Sequence, residues 1–373
     1  MNQVALDLFD TSQNPDNDSG FVALGPNARD GLSKPEGKGP GSASEDVLLG
    51  ELVWYSVSDA VRLTPETLAA AIAAANLDAK RLTPHLPNPS SALSRAAEAA
   101  EAKHRRIPGG CAGPDDSANA EAALYANALF RTASRGVKQL VTEILDADDA
   151  RLSYRSVARV SPRYRNGTPD GTVLVERRYE DGDVPDDELL DVEVAAIANL
   201  KSYYDFERRR HDGEAARRVL GRVLLEANAV PLRNSGGMYF VPRDHSAYAK
   251  KILLFVEEVR SRAEDAPTRT ARASMAMKVP LVDREEYREV LAESLEFFVK
   301  KEAESLIKEM SSLLKKDQPV SERRGRGFVE RVRKLKENVA EYEELLQMQA
   351  TEARANLDVA AREAKALLGR VGP

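Results

Sequence analysis

The stretch AARRVLGRVLLEANAVPLRNSGGMYFVPR, from Ala215 to Arg243, decides how the chain is organised. Its first half repeats apolar residues at helical spacing, so we expect a helix that ends near Asn228. Two short apolar runs, AVPL and MYFVP, follow on either side of RNSGG, residues 233–237. Asparagine and glycine tolerate a positive φ, which favours a tight turn between two strands. The stretch therefore predicts a helix, a β-hairpin that Pro242 closes, and a new helix from about Ser246.

The residues before this stretch predict helices first and strands later. LLGELVWYSV, at 48–57, is typical of a strand, and Thr64 followed by Pro65 predicts the start of a helix, because threonine caps and proline suits the first turn. Further helices are expected at about 91–106 and 118–132. From 137 to 179, β-branched residues in partial alternation predict three antiparallel strands.

The C-terminal part predicts two long helices on either side of a polar break at 315–319. The last helix carries apolar residues at alternating four- and three-residue spacing, which is a heptad seam: Phe328, Val332, Leu335, Val339, Tyr342 and Leu346. The spacing slips by one after Ala353, as it does at a stutter. We expect an antiparallel coiled-coil hairpin that a second copy of the chain could complete.

Together these patterns predict an α+β protein that is predominantly helical. It would contain a small antiparallel sheet, a winged-helix-like central unit and a C-terminal hairpin of long helices. The expected segments are a disordered acidic tail at 1–47, a helical N-terminal segment at 48–117, an α+β core with the helix–hairpin unit at 118–262, a linker at 263–281 and the coiled-coil hairpin at 282–369. The tail prediction rests on a composition too polar to offset the entropy of ordering.

Charge and cysteine content bear on the possible partners of the protein and on its cellular compartment. The net charge is −6, but residues 1–48 carry eight acidic and three basic side chains, so the rest of the chain is close to neutral. Overall charge therefore argues neither for nor against a nucleic-acid partner. Cys111 is the single cysteine, so no disulfide within the chain is possible and a reducing compartment is expected. With no signal-peptide pattern and no apolar run that could span a bilayer, we predict a cytoplasmic protein without membrane contact.

The search for catalytic chemistry finds no complete constellation. The four histidines are far apart in the sequence, and no zinc, nucleophile or dinucleotide motif is present. We therefore expect no catalytic residues, no metal and no cofactor. One acidic cluster could hold magnesium in principle, but carboxylates at a helix start are better explained by the helix dipole: Asp186, Asp187, Glu188, Asp191 and Glu193.

Basic residues are more suggestive of function. In the central region, seven arginines are candidate phosphate contacts: Arg208, Arg209, Arg210, Arg217, Arg218, Arg222 and Arg233. Arg233 would lie at the tip of the wing. In the strand region, arginines at 151, 155 and 159 fall at even offsets and should project from one sheet face. Arginines at 163 and 165 follow, and tyrosines at 154 and 164 are interleaved. The alternative is that these side chains face water or pair with nearby acids.

Two segments, LGELVWYSVSDAVRLTPETLAAAI at 49–72 and AVPLRNSGGMYFVP at 229–242, are followed by the helical C-terminal part. With it they resemble an uncharacterised family found in actinobacterial and phage genomes, over about residues 48–369. That family has no assigned activity or catalytic residues to transfer. The resemblance implies a role in mobile elements or DNA metabolism, without indicating which.

The preferred hypothesis is a non-enzymatic protein that binds DNA or RNA through the central basic region and forms homo-oligomers through the C-terminal helices. The main alternative is a scaffold or adaptor whose helical arm binds another protein. A metal-dependent nuclease that uses the acidic cluster is the third possibility.

Overall fold

The computed structural model of the protein describes residues 47–107, 124–146, 148–177, 190–233, 237–314 and 321–369. Within these ranges the strands are β1 (Leu48–Ser56), β2 (Val61–Leu63), β3 (Ala102–Arg106), β4 (Tyr125–Ser134), β5 (Val137–Leu145), β6 (Arg151–Arg165), β7 (Thr168–Arg177), β8 (His211–Asp212), β9 (Val230–Pro231), β10 (Gly237–Pro242), β11 (Glu264–Asp265) and β12 (Met275–Val282). The helices are α1 (Pro65–Ala74), α2 (Ala79–Leu82), α3 (Pro89–Ala100), α4 (Asp191–Glu207), α5 (Gly213–Glu226), α6 (Ser246–Arg262), α7 (Glu285–Leu314), α8 (Glu322–Leu346) and α9 (Thr351–Leu368).

Contacts between residues divide the chain into two compact units. The first unit takes in the described residues up to 56, residues 218–257 and the described residues from 274 onwards. The second unit takes in the described residues of 57–217 and 258–273. Each unit is therefore built from segments that are far apart in the sequence. Several sequence predictions fall wholly or partly outside the described residues: nearly all of the N-terminal tail, residues 118–123 of the expected helix, the acidic residues at 186–188, residues 234–236 of the hairpin turn and the polar break at 315–319.

The balance of helix and strand differs from the sequence prediction. Of the described residues, 52% are helical and 29% lie in strands, which form three sheets, so the predominantly helical fold with one small sheet is wrong. One reason is the run YANALFRTAS, which was expected to lie largely in a helix but forms β4. Its alternating residues Ala126, Ala128 and Phe130 are buried on one sheet face, and this packing outweighs the helix propensity of alanine.

The sheet of the first unit has the strand order β12-β1-β10-β9. The predicted hairpin is confirmed, because β9 pairs antiparallel with β10, with Val230 opposite Phe240. The other edge of β10 pairs with β1, where Leu52 lies opposite Phe240, and β1 pairs in turn with β12. The hairpin is thus part of a four-stranded sheet and not a free wing, so the winged-helix-like prediction is wrong.

The three C-terminal helices pack against one another in the first unit. Five of the six predicted seam residues are buried between them: Tyr342 is fully buried, and Phe328, Val332, Val339 and Leu346 are at most 3% exposed. The sixth, Leu335, is partly buried. The two-helix coiled-coil hairpin is therefore wrong, because the chain supplies a third helix, α9, that packs on both α7 and α8. These apolar side chains are already covered by the chain's own helices.

A turn ends α8 where the sequence suggested an uninterrupted helix with a stutter. Gln347 adopts a left-handed conformation with φ 54°, which stops the helix. The Glu343 carboxylate then accepts hydrogen bonds from the Ala350 backbone N–H at 2.9 Å and from Arg354 Nε at 2.8 Å. The bond from Arg354 lowers the pKa of Glu343, so this carboxylate stays ionised and holds the start of α9 against the end of α8.

The second unit contains a curled five-stranded antiparallel sheet with the order β3-β4-β5-β6-β7. The three strands predicted between 137 and 179 are confirmed as β5, β6 and β7. Both α3 and α4 pack on one face of this sheet, where Leu140, Ala158 and Val160 form a core with Ala96 and Leu200. A separate small sheet in the same unit has the order β11-β2-β8.

The carboxylate of Glu302, on α7, makes the stability of the first unit depend on pH. Its side chain is 9% exposed, and burial raises its pKa from 4.5 to about 7, with Glu309 adding to the rise and Arg331 and Lys301 opposing it. The folded protein therefore holds this proton more tightly than the unfolded chain does. We predict that the free energy of unfolding falls as pH rises from 4.5 through about 7 because of this group.

Glu302→Gln should remove this dependence, and at pH 8.5 it should be more stable than wild type by up to about 3 kcal/mol. At pH 4 the two proteins should be equally stable. Urea unfolding across this pH range measures the difference, with Glu304→Gln, an exposed carboxylate on the same helix, as the control. Parallel pH profiles for wild type and Glu302→Gln would contradict the assignment.

Candidate nucleic-acid interface

The first group of predicted arginines, which follows α4, is engaged in ion pairs. Arg208 and Arg209 both contact the Asp205 carboxylate, at 2.9 Å and 2.5 Å, and the hydrogen bond from Arg209 is the main reason that the pKa of Asp205 is lowered. Arg210 contacts Glu264 at 2.9 Å and lies over the Phe206 ring, 3.8 Å from its centroid. Pairing with nearby acids, the alternative raised by the sequence, thus accounts for all three.

Arg208 also fixes the position of β7 in the second unit. Gly171 has φ +85°, and a Cβ at this position would lie 2.8 Å from the Arg208 guanidinium carbon. The guanidinium therefore packs directly on the glycine backbone. This close contact gives Arg208 a structural role in addition to its ion pair.

The remaining predicted arginines lie on α5 and in the hairpin. Burial works against the charge of Arg217, but Asp59 at 2.5 Å and Glu214 at 3.2 Å outweigh it and raise the pKa of the guanidinium. The Nε of Arg218 is buried. Arg222 interacts with another residue, and Arg233 is exposed. Arg208 to Arg217 belong to the second unit and the last three to the first. Their assignment to nucleic acid stays a prediction.

A buried ionic network lies beside these residues in the second unit. The Glu207 carboxylate, 1% exposed, accepts hydrogen bonds from Arg62 Nε at 2.9 Å and from Arg95 Nε at 2.7 Å. Arg95 Nη1 also donates to Asp212 at 2.6 Å, and Arg62 Nη1 donates to the Asp59 carbonyl at 2.7 Å. The network borders a cleft of about 330 Å³. Its charges neutralise one another, which is typical of a structural network.

The acidic cluster is described only in part. Glu193 is fully buried and accepts hydrogen bonds from Thr142 Oγ1 at 2.5 Å, from Arg155 Nη2 at 2.7 Å and from the Leu190 backbone N–H at 3.0 Å. This carboxylate therefore caps α4 and ties it to β5 and β6. In the described part of the chain, no three histidine, cysteine or acidic side chains are grouped so that they could hold a metal ion.

Strand β6 combines basic and aromatic side chains without a single acidic one. Its sequence, RLSYRSVARVSPRYR, contains five arginines and two tyrosines. Even spacing predicted that arginines 151, 155 and 159 share one face, but the register shifts twice. Leu145 pairs with Arg151 whereas Ile144 pairs with Ser153, and Val141 pairs with Ser156 whereas Leu140 pairs with Ala158. Leu152 and Val157 are therefore the extra residues of two β-bulges.

The two bulges change which side chains share a face. Each extra residue inverts the alternation, so Arg155, between the bulges, turns toward α4 and binds Glu193. After the second bulge the alternation is restored, and Arg159 shares a face with Arg151 and Tyr154. This face is opposite the one on which α3 and α4 pack. We call it the arginine face, and strand pairing puts Arg131 of β4 and Arg151, Tyr154 and Arg159 of β6 on it. Continued alternation along β6 adds Arg163 and Arg165, beside a shift in the register with β7 between Pro162 and Tyr164.

The arginine face combines paired and unpaired cations. Arg151 and Arg131 approach Glu143 at 3.2 Å and 3.9 Å, and Arg163 approaches Asp170 at 3.5 Å. Arg159 and Arg165 form no ion pair with any residue in the described ranges. The side chains of Arg131 and Arg151 are more than half exposed, but they neutralise Glu143, which is buried. Arg159 and Arg165 are therefore the cations of this face that are most available to a negatively charged partner.

The hairpin between β6 and β7 presents the end of this face to solvent. Asn166 and Gly167 both have positive φ, 51° and 78°, which is the geometry of a type I′ turn. Arg163 and Arg165 lie at the end of β6, just before the turn, and are exposed. Alternating arginines and interleaved tyrosines in the sequence indicate this strand. The sequence gives no sign of the two bulges, which decide which side chains lie on the arginine face.

The fold and this surface define a mixed helix and sheet protein in which a strand with five arginines, β6, is part of a curled antiparallel sheet. The chain belongs to DUF6744, a family of unknown function, whose family model matches residues 48–373. No curated protein and no solved structure matches the chain. Among the described residues, no helix combines the length and the apolar composition needed to cross a bilayer.

The Glu207 network generates a stability prediction. Glu207→Gln keeps the shape of the side chain but leaves Arg62 and Arg95 without the carboxylate between them. Removing one partner of a buried pair costs roughly 3–5 kcal/mol, so we expect a loss of that order in urea unfolding. The control is Asp205→Asn, two residues earlier on the same helix, which loses only exposed pairs and should cost at most about 1 kcal/mol. Equal effects of the two changes would contradict the structural role of Glu207.

Proposed function

We propose that the protein is a non-enzymatic nucleic-acid-binding protein and that the arginine face is its binding surface. The observation that carries the proposal is the composition and geometry of β6. Fifteen residues contain five arginines and no acid, and the two bulges put four of those arginines on one face with Tyr154. Guanidinium groups bind phosphate oxygens in a fixed, bidentate geometry, so a row of them suits a sugar–phosphate backbone.

The ion pairs of the two regions favour the arginine face as the binding surface over the seven arginines of the central region. Four of those seven, Arg208 to Arg210 and Arg217, already contact carboxylates of the second unit. Phosphate would have to displace these partners, which costs part of the binding free energy. Arg159 and Arg165 have no such partner among the described residues, so they can bind phosphate without breaking an ion pair.

Four carboxylates lie next to the arginine face and limit its charge. Glu143, Asp170 and Glu176 lie beside five arginines, and Asp149 contacts His104 at 3.3 Å, which leaves a small positive excess. Hydrogen bonds from Thr172 lower the pKa of Asp170, so it remains ionised beside Arg163. We therefore propose binding of moderate affinity that depends strongly on salt.

The test measures binding of a labelled oligonucleotide by fluorescence anisotropy at several salt concentrations. Each phosphate contact that is lost should lower the slope of log affinity against log salt by about 0.7 for a single strand and about 0.9 for a duplex. Arg159→Gln combined with Arg165→Gln should therefore reduce the slope by roughly 1.4 or 1.8. The fold should survive, since changes at unpaired surface positions usually cost within about 0.5 kcal/mol.

The matched control replaces two exposed arginines of α8, Arg326 and Arg333, with glutamine, which removes the same charge from the first unit. It should leave the slope unchanged. A third protein with Arg218→Ala and Arg233→Ala tests the central region. If only this third protein loses the salt dependence, the binding surface is the central one. Wild-type protein that binds neither DNA nor RNA at micromolar concentration and low salt would overturn the proposal and favour an adaptor.

A further inference from the structure

From the aromatic side chains of the arginine face we infer that the ligand is single-stranded nucleic acid, with a base stacked on Tyr154. This inference rests on the proposed function and specifies its substrate class. Tyr154 is 52% exposed, and it lies between Arg151 and Arg159 on the arginine face. The guanidinium of Arg151 lies over its ring, 5.6 Å from the centroid.

A second aromatic group lies on the same face, two strands away. His104 and Tyr125 are stacked with their ring centroids 4.0 Å apart. Tyr125 pairs with Leu145, and Asn127 pairs with Glu143, the partner of Tyr154. Because neighbouring strands are about 4.8 Å apart, the two aromatic groups are separated by roughly 10 Å across the sheet. The face therefore offers two aromatic groups with arginines beside them.

This arrangement suits a single strand better than a duplex. In a duplex the faces of the bases are covered by their neighbours, so an exposed aromatic ring on a sheet has nothing to stack on. The bases of a single strand present their π-faces, and exposed sheet aromatics next to arginines are a common way to bind them. Stacking does not depend on base identity, so we infer little sequence preference.

Strand β6 also provides a matched control for the stacking. Tyr164 is 54% exposed, nearly the same as Tyr154, and is likewise flanked by arginines. Beyond the second bulge, even-numbered residues of β6 share the face of Ala158 and Val160, on which α3 and α4 pack. Tyr164 lies past a shift in the register with β7, but it adds to the rise that burial causes in the pKa of Tyr204 on α4. Tyr164 is therefore on the helix side, away from the arginine face, and its removal should not affect the ligand.

The experiment measures anisotropy with four probes: a twelve-nucleotide homothymidine strand, the corresponding homouridine RNA strand, and a twelve-base-pair duplex of DNA and of RNA. Tyr154→Ala should weaken binding of the single strands at least about fivefold, which is the lower end of the contribution of one stacked base. The salt slope should not change, because no phosphate contact is lost. Tyr154→Phe, which keeps the ring, should restore the affinity, and Tyr164→Ala should bind like wild type. If Tyr154→Ala does not fold, Tyr154→Leu makes the same comparison.

The outcomes separate this inference from the proposed function. Wild type that binds the duplexes at least as tightly as the single strands, through Arg159 and Arg165, would overturn the single-strand inference and leave the proposed function standing. Equal losses for Tyr154→Ala and Tyr164→Ala would overturn the stacking on Tyr154. Loss of the arginine dependence would overturn the proposed function itself. Preference for one of the two single strands identifies DNA or RNA as the ligand.

Discussion

The second unit depends on one buried carboxylate, that of Glu207. It lies at the end of α4, the helix that covers the curled sheet, and it binds Arg62 of β2 and Arg95 of α3. Arg95 extends the network to Asp212, which accepts a hydrogen bond from the Ala215 backbone N–H at the start of α5. Two strands and three helices are thus linked through Glu207 and Arg62, which are buried, and through Arg95 and Asp212, which are each 18% exposed. Such a network is strong only while every partner is present, so it fixes the position of α4 on the sheet.

The position of α4 in turn determines which side chains of β6 are free. Glu193 at its first turn draws Arg155 to the helix side, and the core formed with α3 leaves the opposite face to Arg151, Tyr154 and Arg159. Two β-bulges make this division possible, since a regular strand would have put all three arginines on one face. One strand therefore carries both an arginine that binds the helix side, Arg155, and arginines on the opposite face, such as Arg151 and Arg159. The same reasoning assigns a structural role to Arg208, which packs on Gly171.

The sequence predicts those parts of the structure that depend on local patterns. The helix start at Thr64, the end of α5 before Asn228, the hairpin of β9 and β10 and the three strands from β5 to β7 follow from caps, turns and alternation. It fails where distant segments meet. The pairing of β1 with β10 and β12, the third helix of the C-terminal bundle and the bulges of β6 arise from tertiary packing. The candidate site illustrates both results. The sequence identifies its arginines and tyrosines, but it does not predict how they are divided between the two faces of the sheet.

Protection of individual arginines from chemical modification would show directly whether nucleic acid contacts the arginine face. The protein would be treated with an arginine-specific dicarbonyl reagent with and without a single-stranded oligonucleotide, and the modified peptides would be quantified by mass spectrometry. We expect the oligonucleotide to protect Arg159, Arg163 and Arg165 and to leave Arg326 and Arg333 as reactive as before. Protection confined to Arg218, Arg222 and Arg233, or no protection at any arginine, would contradict it.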